Sequence, residues 1–229
     1  MTDSTPATDD VSPQYRVSVW EAIAITTGAV LLVVIGLAGL GVKALGNAFE
    51  PRRAEAIARS VATYSLPGGS KGLFSANFGG GKLAVVTSDT VTEIPANTLP
   101  PGTTPPARVE LFLAQIPVTE AANEPQSDEA TANVQNELFL SGFSFSYQAP
   151  EAFQVNASHT ENKSFCGAIV PVTIQEGILT PGAGVPSIPA VRYQAEAKLS
   201  EDTRVAIVSA VGVDAQTNAA SVFSSLQCN

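Results

Sequence analysis

The chain has 229 residues, a net charge of −9 and a pI near 4.5, and only 14% of its residues are charged. That length holds one domain of ordinary size beside a short appendage and leaves no room for a second full domain. Such acidity, without a basic stripe interleaved with aromatics, excludes nucleic acid as a partner.

Residues 1–19 are polar and contain three aspartates and two prolines. They predict a disordered tail and lack the basic start of a secretory signal. Residues 22–42, AIAITTGAVLLVVIGLAGLGV, carry no charge. At about 1.5 Å per helical residue the run extends about 31 Å, the thickness of a bilayer's hydrocarbon core. A transmembrane anchor over 20–46 is therefore expected, retained because no small-x-small cleavage site follows it. Tyr15 and Trp20 fall at headgroup level, and Ala24 with Gly28 makes one small-xxx-small pair.

Just beyond the anchor, Lys43, Arg52, Arg53 and Arg59 stand against Glu50 and Glu55, whereas from Lys71 onward acidic residues outnumber basic ones fifteen to seven. The four cations read as a membrane-proximal basic collar for anionic headgroups. The plain alternative is a solvated helix face. Two signals conflict over the side of the membrane. The collar outweighs Arg16 and favours a cytoplasmic domain by the positive-inside rule. Cys166 and Cys228, the only cysteines, lie in a lysine-poor, Ser/Thr/Asn-rich domain and favour the oxidising side. Long domains translocate despite flanking charge, so an extracytoplasmic domain is the expectation.

Residues 50–229 read as one domain. EPRRAEAIARSVATYSLP predicts an amphipathic helix with Ala54, Ile57, Ala58, Val61 and Tyr64 on one side, stopped by Pro67, Gly68 and Gly69. GLFSANF and KLAVVTS predict a hairpin about Gly79, Gly80 and Gly81. A phosphate-binding loop there lacks its hydroxyl, because Leu83 follows Lys82. Residues 90–107 hold five prolines and predict a surface loop, followed by a strand over 108–116. A helix is predicted from Ser127, with Ala130, Val134 and Leu138 on one face, then strands over 142–147 and 165–174. A second Pro/Gly loop occupies 180–190. The clearest hairpin pairs 191–199 with 203–211 through Ser200, Glu201 and Asp202, and its alternation predicts one wet face. Asp214 is placed to cap a last helix bearing Ala215, Ala219, Val222, Phe223 and Leu226. The predicted fold class is α+β, an N-terminal transmembrane helix followed by a mostly antiparallel sheet with packed helices.

The chemistry is sparse. His159, the only histidine, sits among Asn156, Ser158, Thr160 and Glu161 and reads as a solvated loop residue. One histidine and two distant cysteines make no zinc set, so no catalytic residue, cofactor or metal is expected. Glu201 and Asp202 read as a polar turn. Asn156-Ala157-Ser158 and Asn162-Lys163-Ser164 match the glycosylation pattern, which also arises by chance. Cys166 and Cys228 are the candidate disulfide, worth about 4 kcal/mol for so long a loop; two buried free thiols are the alternative. The Pro-rich loops are where partner recognition would reside, unless they are tolerated insertions.

AEAIARSVATYSLPGGSKGLFSANFGGGKLAVV resembles a segment of uncharacterised bacterial, notably cyanobacterial, single-pass membrane proteins. There an I-A-x7-L-P helix end, here Ile57, Ala58, Leu66 and Pro67, precedes a glycine-punctuated strand pair. The resemblance spans the first half of the domain and implies an anchor with a small α+β domain and no borrowed activity. The outline of Glu21, apolar span and paired cysteines also resembles type IV pilin-like proteins, although Arg16 stands where their processing glycine lies. The expected function is non-catalytic binding or scaffolding at the membrane surface, with the bilayer as partner and a further membrane or envelope protein left open. A pilin-like or other surface-structure subunit is the alternative.

Overall fold

The computed structural model describes residues 46–88, 107–118, 153–180 and 186–229, together with isolated positions between Trp20 and Lys43. The chain divides into two units, residues 1–45 and 46–229. In the first, the described positions are helical, and Leu32, Val33 and Ile35 are exposed. No helix among the described residues is long and apolar enough to cross a membrane, and most of the predicted anchor lies outside them.

Among the described residues, the second unit is mostly antiparallel sheet with two helices beyond the helical residues 46–48. Helix α1 (Pro51–Val61) leads into strand β1 (Ala62–Thr63), β2 (Ser70–Phe78), β3 (Gly81–Ser88) and β4 (Arg108–Pro117). Then come β5 (Phe153–Phe165), β6 (Ala168–Leu179), β7 (Ile188–Lys198), β8 (Asp202–Val211), helix α2 (Ala215–Ser224) and β9 (Gln227–Cys228). Seven strands form one sheet in the order β2-β3-β4-β8-β7-β6-β5, every neighbouring pair antiparallel, and β1 pairs with β9 separately.

Short turns fix the hairpins. Gly79 and Gly80, at φ 56° and 84°, join β2 to β3, the two left-handed positions of a primed hairpin turn. The glycine run thus serves a turn between strands. Cys166 and Gly167, at φ 54° and 77°, make the equivalent turn between β5 and β6.

One face of the sheet carries both helices. Val86, Leu111, Val208, Tyr193 and Ile174 form a continuous row across five strands, and Ala84, Leu113, Ala206, Ala195 and Val172 form the next. Ala58, Val61, Ala219, Val222 and Phe223 pack on these rows, and all are buried. Gly72 admits α1, because a Cβ there would strike the Pro51 carbonyl oxygen and the Ala54 side chain.

Five expectations change here. The strand expected over 165–174 is broken at its start by the Cys166–Gly167 turn, so that Phe165 ends β5 and β6 begins at Ala168. α1 ends at Val61 rather than near Pro67, since Ala62 turns extended (φ −151°, ψ 148°) and enters the β1–β9 pair. The 191–199 hairpin arm is not wet along its whole outer face: Glu196 and Lys198 are exposed, but Arg192 is buried. Val85, Ile207 and Glu110 on that same second face are also buried, so β3, β4 and β8 read as near-continuous apolar runs because both faces are covered. Asp214 occupies the N-cap position of α2 without a side-chain capping bond. The segment around His159 is the strand β5, not a loop. The predicted helix from Ser127, the strand over 142–147 and the loop over 90–106 lie outside the described residues.

Candidate functional site

The apolar rows change character at the last strand. Across the β6–β5 pairing, Ile174 meets His159, Val172 meets Glu161 and Val170 meets Lys163. Alternation puts these three β5 side chains on the helix-bearing face, two residues apart, as a charged border to the core. Lys163 Nζ lies 2.6 Å from Glu161 Oε2, and His159 Nε2 lies 3.3 Å from Glu161 Oε1. The Lys163 hydrogen bond and charge hold the Glu161 carboxyl below its usual range, and the same bond raises the Lys163 ammonium. All three are partly or well exposed, so solvent screening leaves each pair little weight in stability. What the stripe offers is a fixed order of charge.

Behind the stripe, Lys163 also lies over the Tyr193 ring, 5.9 Å from its centroid. Phe223 of α2 packs 5.7 Å from Tyr193 and 6.0 Å from Phe165, ring to ring. Burial pushes the Tyr193 phenol up, so it stays protonated at neutral pH. Lys163, Ser164, Tyr193, Ala220, Phe223 and Ser224 line an open groove of about 310 Å³ between β5 and α2.

Two tethers join distant segments on this face, the first of them at the end of the border strand. Cys166, at the β5–β6 turn, and Cys228, in β9, meet at disulfide-bonding distance with Cα atoms 4.8 Å apart. The pairing joins the tip of the β5–β6 hairpin to the segment after α2. Farther along the same face, buried Arg204 gathers three elements: Nε donates to Asp202 Oδ1 (2.8 Å), Nη1 to the Val61 carbonyl (2.7 Å) and Nη2 to the Asn229 carbonyl (3.1 Å). Gln115 Nε2 donates to the other Asp202 oxygen at 2.7 Å. These bonds, Arg204's first, hold the Asp202 carboxyl below its ordinary value.

The collar residues divide between the units. Arg52, Arg53 and Arg59 are exposed on α1, with Arg59 4.0 Å from Glu55, and Lys43 is an exposed helical position of the first unit. Asp202 is no ordinary turn residue, since it opens β8 and is buried against Arg204, whereas Glu201 remains at the exposed tip. Both glycosylation-pattern asparagines, Asn156 and Asn162, are exposed on β5. The expected 180–190 loop is shorter at its end, since residues 188–190 belong to β7; at its two sides the Thr180 and Ser187 hydroxyls meet at 2.9 Å. Among the described residues no group of three His, Cys, Asp or Glu side chains is arranged to hold a metal ion.

No protein-family model matches this chain, and neither does any curated protein. The functional reading therefore draws on the border itself. Of the three stripe residues, sequence reasoning weighed only His159 for chemistry. It missed Glu161 and Lys163 as its row neighbours and missed Tyr193 and Phe223 as the wall behind them. The signal was present in the i, i+2, i+4 spacing of His159, Glu161 and Lys163, which becomes visible once the segment is read as extended.

Proposed function

We propose that this is a single-pass membrane protein whose domain binds or scaffolds at the bilayer surface without catalysis. The observation that carries the reading is the border strand: β5 is 13 residues long, exposed over nearly its whole length, and presents ordered charge beside an open groove. A site meant to exclude water for chemistry would be concave and enclosed, whereas an exposed strand beside an open groove suits a macromolecular surface. The uncharged run over 22–42 supports the anchor, and the exposed Leu32, Val33 and Ile35 agree with side chains that face lipid. The Cys166–Cys228 approach supports an extracytoplasmic domain. Arg52, Arg53 and Arg59 then lie on a helix close behind the anchor in sequence, available to anionic headgroups.

The test is partition of the full-length chain. After detergent-free lysis the protein is expected in the membrane pellet, resistant to alkaline carbonate and released by detergent. Recovery of the intact chain in the high-speed supernatant would overturn the reading.

A further inference from the structure

We infer that the outer edge of β5 pairs antiparallel with β5 of a second copy of this chain, about a two-fold axis at Asn162. The inference rests on the membrane-anchored scaffold reading above and names the partner that the border strand takes.

The backbone supplies the first argument. Phe165 and Ala168 flank a two-residue turn and so form a hydrogen-bonded pair. Antiparallel pairing alternates, so Lys163, Glu161, His159 and Ala157 direct their N–H and C=O groups at β6. Ser158, Thr160, Asn162 and Ser164 direct theirs outward. The register from Ala157 to Phe165 is unbroken, because the only irregularity lies between Val155 and Ala157. Among the described residues nothing pairs with that edge. The opposite edge, β2, is interrupted by a bulge between Gly72 and Phe74 where α1 packs.

Charge supplies the second argument. Edge strands are commonly guarded by like charges that repel a copy of themselves. Here the order His159, Glu161, Lys163 is self-complementary. A two-fold axis at Asn162 sets Glu161 opposite Lys163 of the other copy, twice, and Asn162 opposite its own equivalent. An axis at Glu161 would oppose two carboxylates and is disfavoured. Glu161 and Lys163 already approach each other within one strand, so the four charges form an alternating square. Anchoring both copies in one bilayer raises their effective concentration, which offsets the modest strength of seven or so paired residues.

The experiment uses the full chain in detergent micelles and in lipid nanodiscs, with oligomeric state read by sedimentation and edge protection by amide hydrogen exchange. The wild type is expected to be dimeric, with slow exchange at Thr160, Asn162 and Ser164. Asn162→Pro removes an outward N–H while leaving the β6 ladder whole, and it is expected to lose the dimer and the protection. Glu161→Lys tests the same edge without a backbone change and is expected to weaken dimerisation at least tenfold. The double swap Glu161→Lys with Lys163→Glu restores it. A monomeric wild type, or a dimer that survives Glu161→Lys with its β5 amides exchanging freely, overturns the proposal. The membrane reading stands or falls separately, on partition into the pellet.

Discussion

Arg204 shows how much one side chain can hold in this fold. Its guanidinium, buried, joins the start of β8, the end of α1 and residue Asn229. Asp202→Asn removes the charge opposite it and is expected to cost about 2 kcal/mol, read as a lower denaturant midpoint at unchanged slope. The pH dependence follows from the lowered Asp202 carboxyl. The folded state binds this proton less readily than the unfolded chain, whose value is about 3.8, so the stabilisation is complete above that value and fades as pH falls through the lowered one. Acid titration of wild type and Asp202→Asn should therefore draw together as pH falls below 3.8, and curves that stayed parallel there would contradict the assignment. Gly72 makes a different demand, for space alone. Gly72→Ala forces α1 off β2 and is expected to destabilise by about 2–3 kcal/mol in the same assay.

At the scale of elements, the sequence was most legible where turn chemistry and side-chain alternation agreed. Gly79–Gly80 and the 191–211 hairpin declare themselves through glycine at positive φ and apolar residues at every second position. β5 declares nothing of the kind. FQVNASHTENKSF has few apolar side chains because an edge strand exposed on most of its length needs few, so period-two patterning is missing. Its conformation comes from the Cys166–Gly167 turn and the β6 ladder, which local composition does not record. The end of α1 was misplaced for a related reason: Val61 and Ala62 find their partners in Arg204 and β9, more than 140 residues away. α2 is held chiefly by Phe223 against Tyr193 and Phe165, so Phe223→Ala should cost about 3–4 kcal/mol and open the groove beside Lys163. Retention of wild-type thermal stability in that variant would show that α2 is held elsewhere.

At the scale of the molecule, the Cys166–Cys228 link closes a loop of 62 residues around the β6–β7–β8 sheet and α2. In the chain-entropy model such a crosslink contributes about 4 kcal/mol, a large share of the stability of a domain this size. It also restrains the tip of β5, whose Cys166 is the only described non-glycine residue at positive φ. The candidate site was half legible in the sequence. The cysteine pair and His159 could be singled out from residue type, but the placement of His159 midway along the border strand, with Cys166 at its end and Cys228 brought to it from β9, depends on a topology that joins distant segments. The proposed extracytoplasmic placement rests on the same link, because a persistent disulfide belongs to an oxidising compartment. The decisive measurement is thiol labelling of the full-length chain in intact cells with a membrane-impermeant maleimide. The account predicts no labelling before reductant and labelling of both cysteines after brief treatment with an impermeant phosphine. Two thiols that remain unlabelled until the membrane is broken, and then react freely without reductant, would contradict it.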